Sequence, residues 1–414
     1  MKKYEYLIVF VSIINNTYFK SVFSNNYFTY NYLFKSFKNV YIVDVNNLAF
    51  LRKKNNLDTK ILKNLFPNSN IKFLCTNNFI QFHRFLKNKK IVGIKSFGTS
   101  YDELITNIFL KFYDVRLFQF NNAGNENNTY NLSQYKTKLL KNFLVKTLSH
   151  KLTVFLSMIG LVRKIDIRFI SNSRYLKYNK INTVNKVANL FNLPYVKKLI
   201  PVNSRAYDIL LNEKHEIKND YITVMDEQLN EIQWAKYRNL IAKKDITLHY
   251  KKFNSYLKKL SIVLNKKVII CIHPNDNLKE KKKLFKSFKV LQYKTREYIY
   301  KSYLVVFFNS SAIIDAVLLN KNITTIHSKI MDENQIESGL HYVRDLRIPI
   351  SNIDNIENLN LTKKFLVKNK IIKNSKQIKR NYKNYIKKYI SIDVKNVLGV
   401  EKIKKIIKQK YKLD

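Results

Sequence analysis

A chain of 414 residues exceeds one ordinary core and suits two domains of roughly 150–200 residues each. Its 46% apolar content, with 28 Tyr and 27 Phe, is ample for packing and excludes a disordered chain. Lys and Arg number 76 against 29 Asp and Glu, a net +47 that suits an anionic partner: a phosphate-rich ligand, nucleic acid or an anionic membrane face.

That basicity is spread along the whole chain without an Arg-rich motif, so it identifies no nucleic-acid module and no nucleic-acid partner is expected. Lys, Asn, Ile, Tyr and Phe dominate throughout, and an AT-rich coding sequence would produce the same excess. With only 6 Gly and 5 Pro, tight turns must lean on Asn. Two cysteines, Cys75 and Cys271, sit in apolar runs, which suggests a reducing cytoplasm rather than a disulfide framework.

The opening MKKYEYLIVFVSIINN imitates a secretion signal. Glu5 interrupts it and no small-residue cleavage site follows, so it reads as a first buried strand, Tyr6–Ile14. Further strands are expected at Asn39–Val45, Ile71–Cys75, Lys90–Ile94, Val115–Phe120 and Ile165–Ile170, with helices at Asp102–Tyr113 and Gln134–Thr147. Strands alternating with helices predict a doubly wound, mostly parallel sheet. The apolar run Leu152–Val162, broken by Thr153 and Ser157, falls far short of the ~20 residues that span a bilayer.

Leu193–Asp220, with Pro194 and Pro201, is the candidate linker. The alternation then restarts: strand Tyr221–Met225, helix Tyr250–Leu264, strand Val268–Ile272, helix Leu278–Phe288 and strand Val290–Gln292. Next come a helix N-capped by Thr295 and running through Tyr300, strand Leu304–Phe308, helix Ser311–Leu319 and strand Ile323–Ile326. The expected α/β architecture is therefore two Rossmann-like domains, 1–205 and 206–360, facing a cleft, with basic C-terminal helices over 361–414. From Lys363 that tail carries 18 Lys/Arg against 3 acidic residues. Its Ile378, Tyr382, Tyr385, Ile386 and Tyr389 share one helical face, which suits either packing on the domains or lying on anionic lipid.

In an open α/β sheet, ligands bind beyond the carboxyl ends of the strands. His273 follows the strand Val268–Ile272 directly in VIICIHPND, and Pro274 fixes the course on which the chain leaves the sheet. Asn309-Ser310-Ser311 stands between LVVFF and the apolar helix AIIDAVLL. Each of the three is an ordinary N-cap residue, and together at a helix start they also make an anion site. One helix–strand–helix–strand passage separates His273 from Ser310, so the two are expected to end neighbouring strands and converge on one phosphate.

CIHPND followed by TREYIYKSYLVVFFNSSAIIDAVLLNKNITTIHS resembles the C-terminal half of bacterial surface-polysaccharide glycosyltransferases. The likeness is to the capsule and lipooligosaccharide sialyltransferase-like enzymes with an HP motif and a downstream Ser-Ser motif. The preceding ITVMDEQLNE is similar to capsule-biosynthesis proteins that place an Asp at the position of Asp226. The resemblance covers about 220–330. It implies a GT-B fold whose second domain holds a nucleotide sugar, often CMP-linked, with no metal and no separate cofactor. By the same resemblance His273 would contact the donor phosphate and assist leaving-group departure, Ser310 and Ser311 would bind that phosphate, and Asp226, Pro274 and Asn309 would belong to the same donor site. A glycan or lipid-linked glycan would be the acceptor.

These families carry an acidic pair followed by Gly after a first-domain strand, one carboxylate serving as general base. Here VRLFQF is followed by Asn121-Asn122-Ala123-Gly124, and amides cannot accept a proton at neutral pH. Either the base lies elsewhere, with Asp102, Glu103 or Glu126 near in sequence, or the correspondence fails there, or the protein binds without turnover. Asp102 and Glu103 are also ordinary helix-start acids. After His327, Glu333 is a candidate for the donor's ribose or sugar hydroxyls. The expected activity is an inverting, metal-independent glycosyltransferase of capsule or lipopolysaccharide biosynthesis, cytoplasmic and peripheral to the inner membrane; a nucleotide-sugar 2-epimerase is the alternative enzyme on the same fold.

Overall fold

Runs such as LIVFV and VIICI show no polar–apolar alternation, the pattern of strands covered on both faces. The computed structural model describes residues 5–11, 23, 27–35, 37–45, 64, 66–67, 71–75, 79–96, 101–121, 152, 155–156, 159–171, 196–212, 216–226, 243–273, 276–308, 310, 312–329, 333–390 and 398–411. Both runs lie inside all-parallel sheets. The chain separates into two compact units, the first built mainly from residues up to Leu211 and again from Lys388, the second from Asn212–Lys387.

The first unit carries β1 (Tyr6–Val11), β2 (Asn39–Asp44), β3 (Ile71–Cys75), β4 (Ile91–Ser96), β5 (Arg116–Asn121), β6 (Ile167–Ile170) and β7 (Leu199–Pro201) in the order β3-β2-β1-β4-β5-β6-β7. The signal-like opening is thus an inner strand, paired with β2 and β4. Leu7, Val9 and Val11 face a layer that includes α1 (Tyr27–Phe34), while Ile8 and Phe10 face α2 (Phe79–Leu86) and α3 (Tyr101–Phe112). Gly93 in β4 makes room for this packing: a Cβ there would lie 2.8 Å from the Phe10 ring and 2.9 Å from Leu117.

The stretch 193–220 is not a plain linker. Leu199–Pro201 adds strand β7 at the sheet edge, where a proline costs no ladder bond, and Arg205–Asn212 forms helix α4. The expected helix Gln134–Thr147 lies outside the described residues.

The second unit carries β8 (Tyr221–Met225), β9 (Lys267–Ile272), β10 (Lys289–Gln292), β11 (Ser302–Phe307), β12 (Asn322–His327) and β13 (Ile350–Asn352), ordered β10-β9-β8-β11-β12-β13. Among its helices are α5 (Lys243–Leu264), α6 (Leu278–Leu284), α7 (Thr295–Tyr300), α8 (Ile313–Leu318) and α9 (Glu333–Leu346). On α5, Tyr250, Phe253, Tyr256, Leu257 and Leu260 are all buried, the helical stripe the sequence shows. Asparagine ends helices here. Asn265 and Asn320 take positive φ after α5 and α8, and the next amides, Lys266 and Lys321, donate to the Ser261 and Ala316 carbonyls.

The two sheets share one topology: each runs outward in one direction from its first strand, then reverses between its first and fourth. The ligand-binding switch point of such a sheet lies at that reversal, between β1 and β4 in the first unit and between β8 and β11 in the second.

The basic tail is not a module of its own. α10 (Lys363–Lys368) leads into Ile371 and Ile372, which join the second core with Leu366. α11 (Ser375–Tyr385) follows. From Lys388 the chain belongs to the first unit, where α12 (Gly399–Tyr411) buries Ile403 and Ile407 in the same cluster as β1 and α1. Ile378, Tyr382, Tyr385 and Tyr389 are buried, and the Tyr382 hydroxyl donates to the Lys321 carbonyl at 3.0 Å. That apolar face packs on protein, so it is not available to lipid.

Candidate functional site

Three adjacent strands of the second sheet, β9, β8 and β11, deliver His273, Asp226 and Ser310 to its carboxyl edge. The expectation that His273 and Ser310 end neighbouring strands is corrected by the reversal of strand order. β8 lies between them, so their strand ends stand two spacings apart, roughly 10 Å.

The loop after β9 is closed from within. The His273 amide donates to the Asp276 carboxylate at 3.2 Å, and the Asp276 amide returns to the His273 carbonyl at 3.0 Å. From β10, the Gln292 side chain donates to the Asp276 carbonyl at 3.0 Å. Asn277 then caps α6, its side-chain oxygen accepting from the Lys279 and Glu280 amides. Pro274 lies outside the described residues.

Beneath the loop, α6 sends Lys281 back under the sheet edge. Its ammonium donates to the Asp226 carboxylate and, at 2.7 Å, to the Tyr250 hydroxyl. The Tyr250 hydroxyl is 3.3 Å from Asp226, and the Asp276 carboxylate lies 3.8 Å from the same ammonium. Asp226, Lys281 and Asp276 are all buried. Burial pushes the Asp226 carboxyl up, with the Lys281 ammonium and Tyr250 hydroxyl pulling the other way. Asp226 therefore anchors the histidine loop to the end of β8.

The same lysine acts on the histidine. Burial first and the Lys281 ammonium second hold the His273 imidazole below its ordinary range, so it is neutral at physiological pH. A neutral imidazole can offer one N–H to a phosphate, and a bound dianion would favour its protonation.

Ser310 is half-buried beyond β11. Its hydroxyl accepts from the Ala312 amide at 3.3 Å and its carbonyl from the Ile313 amide at 3.2 Å, which turns the chain into α8. Asn309 and Ser311 lie outside the described residues. Thr295 is not an N-cap. Lys294 stands at that position without a side-chain bond, and Thr295 hydrogen-bonds the Cys271 thiol instead. Burial pushes that thiol up to about 12, so it stays protonated.

Farther along the same edge, Asp354 joins the loops after β12 and β13. It accepts from the Ser328 hydroxyl at 3.1 Å and the Lys329 amide at 2.9 Å. Glu333 is the first residue of α9.

In the first unit, Asp102 and Glu103 occupy the first turn of α3, which follows β4 at the switch point of that sheet. Asn121 is the last residue of β5; Asn122 and Glu126 lie outside the described residues.

Tyr250, Asp276 and Lys281 were missed as site residues. Leu278, Lys281 and Phe285 share one face of α6, so a lysine sits where the period calls for an apolar residue; that spacing was the available signal.

No family model and no curated protein matches this sequence. Solved structures do match its fold. A UDP-N-acetylglucosamine 2-epimerase aligns at TM-score 0.51 and 11% identity over 100% of this chain and 97% of its own. CalG4, the calicheamicin glycosyltransferase, aligns at TM-score 0.50 and 7% identity over 99% and 98%. The wall teichoic acid polymerase TagF, in a CDPG soak, aligns at TM-score 0.50 and 13% identity over 98% and 88%. Two parallel-sheet α/β units of the GT-B type are the architecture all share with this chain.

Proposed function

We propose that the chain is a nucleotide-sugar-dependent glycosyltransferase whose donor lies along the carboxyl edge of β9, β8 and β11. The observation that carries this reading is the placement of His273 and Ser310 on either side of β8, flanking the switch point of the second sheet. With strand ends roughly 10 Å apart, the two side chains would have to reach toward each other over the end of β8 to meet one donor phosphate held there.

In the proposed reaction an acceptor hydroxyl attacks the anomeric carbon, and the bond from that carbon to the donor phosphate breaks. The bonding pair stays on the phosphate oxygen, whose growing charge is met by the His273 imidazole and the Ser310 hydroxyl. One displacement inverts the anomeric centre. The acceptor proton needs a base, and Asp102 or Glu103 is the assignment by position in the fold. Ser311, Asn309 and Pro274 join the donor site, and Glu333 takes the donor's sugar or ribose hydroxyls. No metal enters this scheme. A sialic-acid-like sugar from a CMP donor, passed to a glycan or lipid-linked glycan of a capsule or lipopolysaccharide, is the specific assignment, and it rests on the motif resemblance.

The test is titration of the purified chain with CMP-, UDP- and CDP-linked donors, followed by turnover with glycan acceptors. Failure to bind or hydrolyse any of them would sink the reading; binding without transfer to any acceptor would favour a non-catalytic binder. The likeness to a 2-epimerase along the full chain supports a second reading. Incubation with UDP-N-acetylglucosamine and no acceptor separates the two, since an epimerase yields the 2-epimer and a transferase does not.

A further inference from the structure

Among the described residues no helix is long and apolar enough to cross a membrane. Among the described residues of the first unit, large apolar side chains nonetheless stand exposed. Leu152, Phe155 and Ile159 recur at helical spacing on a segment that ends at Gly160. Gly160 has φ +82°, and the Leu161 amide donates to the Leu156 carbonyl at 2.8 Å, the closure of a helix end. Leu152, Phe155, Ile159 and Leu161 are all exposed, Phe155 by 57%.

The segment is tied to α3. The Arg163 amide donates to the Asn107 carbonyl at 3.2 Å, in the middle of that helix. Ile108 and Phe112, one turn apart on α3, are exposed as well, Phe112 by 79%. The inward residues Leu104, Leu110, Val162 and Ile165 are buried, so these elements already cover the sheet. A helix covering a sheet normally turns polar residues outward; here the outward residues are large and apolar.

The surrounding charge is positive. Lys111 and Lys164 are close enough to interact, and Lys164 is held below its ordinary range by burial and by the Lys197 and Lys111 ammonium groups. Among the described side chains, Asp114 pairs with Arg163 and Arg116, and Asp166 with Arg163 and Lys197.

We propose that this face of the first unit docks on an anionic lipid bilayer, with its apolar side chains at the acyl boundary and Lys111 and Lys164 at the level of the lipid phosphates. A second copy of the chain fits the same face poorly. Two molecules of net charge +47 repel, and an isologous contact would set the lysines of one rim beside those of the other. The inference does not rest on the sugar-transfer reading: it shares helix α3 with Asp102 and Glu103 but uses none of the residues assigned to the donor or to the base.

The test is co-sedimentation of the full chain with vesicles of phosphatidylcholine, with and without phosphatidylglycerol. A charge-neutral variant, Phe112→Ser/Phe155→Ser/Ile159→Ser, is compared with Ile262→Ser, which alters an exposed side chain of the second unit. Wild type and Ile262→Ser should bind the anionic vesicles equally, and the triple variant at least about tenfold more weakly, with its melting temperature unchanged. Equal binding by the triple variant would show that net charge alone holds the protein and would overturn the proposal. So would self-association that the substitutions disperse without any vesicle binding. Phe155→Trp gives an independent readout: brominated lipid should quench its fluorescence, and an unquenched signal on bound vesicles also overturns the assignment.

Discussion

The Lys281 ammonium on α6 donates to the Asp226 carboxylate at the end of β8, and neither side chain is exposed. This contact fixes the position of the loop that carries His273, since Lys281 lies under that loop and Asp226 lies beside it in the sheet. Removing one partner strands the other. Lys281→Met should cost about 3–5 kcal/mol, because Asp226 and Asp276 are left buried without their cation. Asp226→Leu/Lys281→Met should recover much of that loss. Urea unfolding of the two variants measures both, and a double variant no more stable than the single one would show that the pair does not act as a unit.

His273 is the next residue to test. The residue is largely exposed at the rim, although its imidazole is partly shielded from water, so His273→Ala should change the melting temperature only slightly. Turnover of a nucleotide sugar should fall by about 10²-fold or more, the usual scale for a lost acid or oxyanion contact. Before donor binds, its imidazole is held below the ordinary range, and a donor phosphate favours the protonated form. Donor affinity should therefore rise as pH falls toward the free-state pKa, and that rise should vanish in His273→Ala. Titration calorimetry across pH reads this directly, and identical profiles for the two proteins would remove His273 from the phosphate site.

The strands were legible because parallel sheets demand unbroken apolar runs, and these stand out from a Lys- and Asn-rich background. The edge strands Leu199–Pro201 and Ile350–Asn352 were not, being three residues each and flanked by polar chain. His273 and Ser310 were legible as strand ends, while their separation was not, since strand order is a tertiary fact. The Asp226–Lys281–Tyr250 cluster was hidden for a different reason. In KEKKK every lysine looks solvated, and only the helical phase of Lys281 marks it as inward-facing. The tail's stripe allowed two placements, on protein or on lipid, and composition could not choose between them; its tyrosines are buried against protein.

His249 on α5 is buried, with the rings of Tyr250, Phe253 and Phe308 around it and both ring nitrogens unpartnered. Burial pulls its pKa to about 4. The folded state thus binds this proton less tightly than the unfolded chain. Its contribution is intact above about pH 6.5 and is lost as pH falls toward 4, on the order of 3 kcal/mol in all. His249→Phe removes two unmet polar atoms from an aromatic nest. It should raise stability at pH 7 by about 1–3 kcal/mol and flatten the acid limb of the second unit's unfolding curve. A variant less stable than wild type at pH 7 would mean that the imidazole is satisfied after all.

Asp208 on α4 provides the opposite pH dependence in the first unit. Its carboxylate accepts from the Gly399 and Val400 amides at 2.7 and 2.9 Å, holding the start of α12. Burial nevertheless pushes its pKa up to about 6. Here the folded state binds the proton more tightly, so this contribution is whole below about pH 4 and declines as pH rises toward 6. Gly399 is required for the close approach, because a Cβ would lie 2.8 Å from the Asn203 carbonyl oxygen, a backbone atom that cannot turn away. Gly399→Ala should therefore cost about 1–3 kcal/mol and release α12 to protease. With the helix displaced, Asp208 reaches water and its raised pKa is relieved. The stability difference between wild type and variant should then shrink from pH 4 to pH 7, measured as paired urea midpoints so that the protein's large net charge cancels. A constant difference across that range would separate Asp208 from the docking of α12.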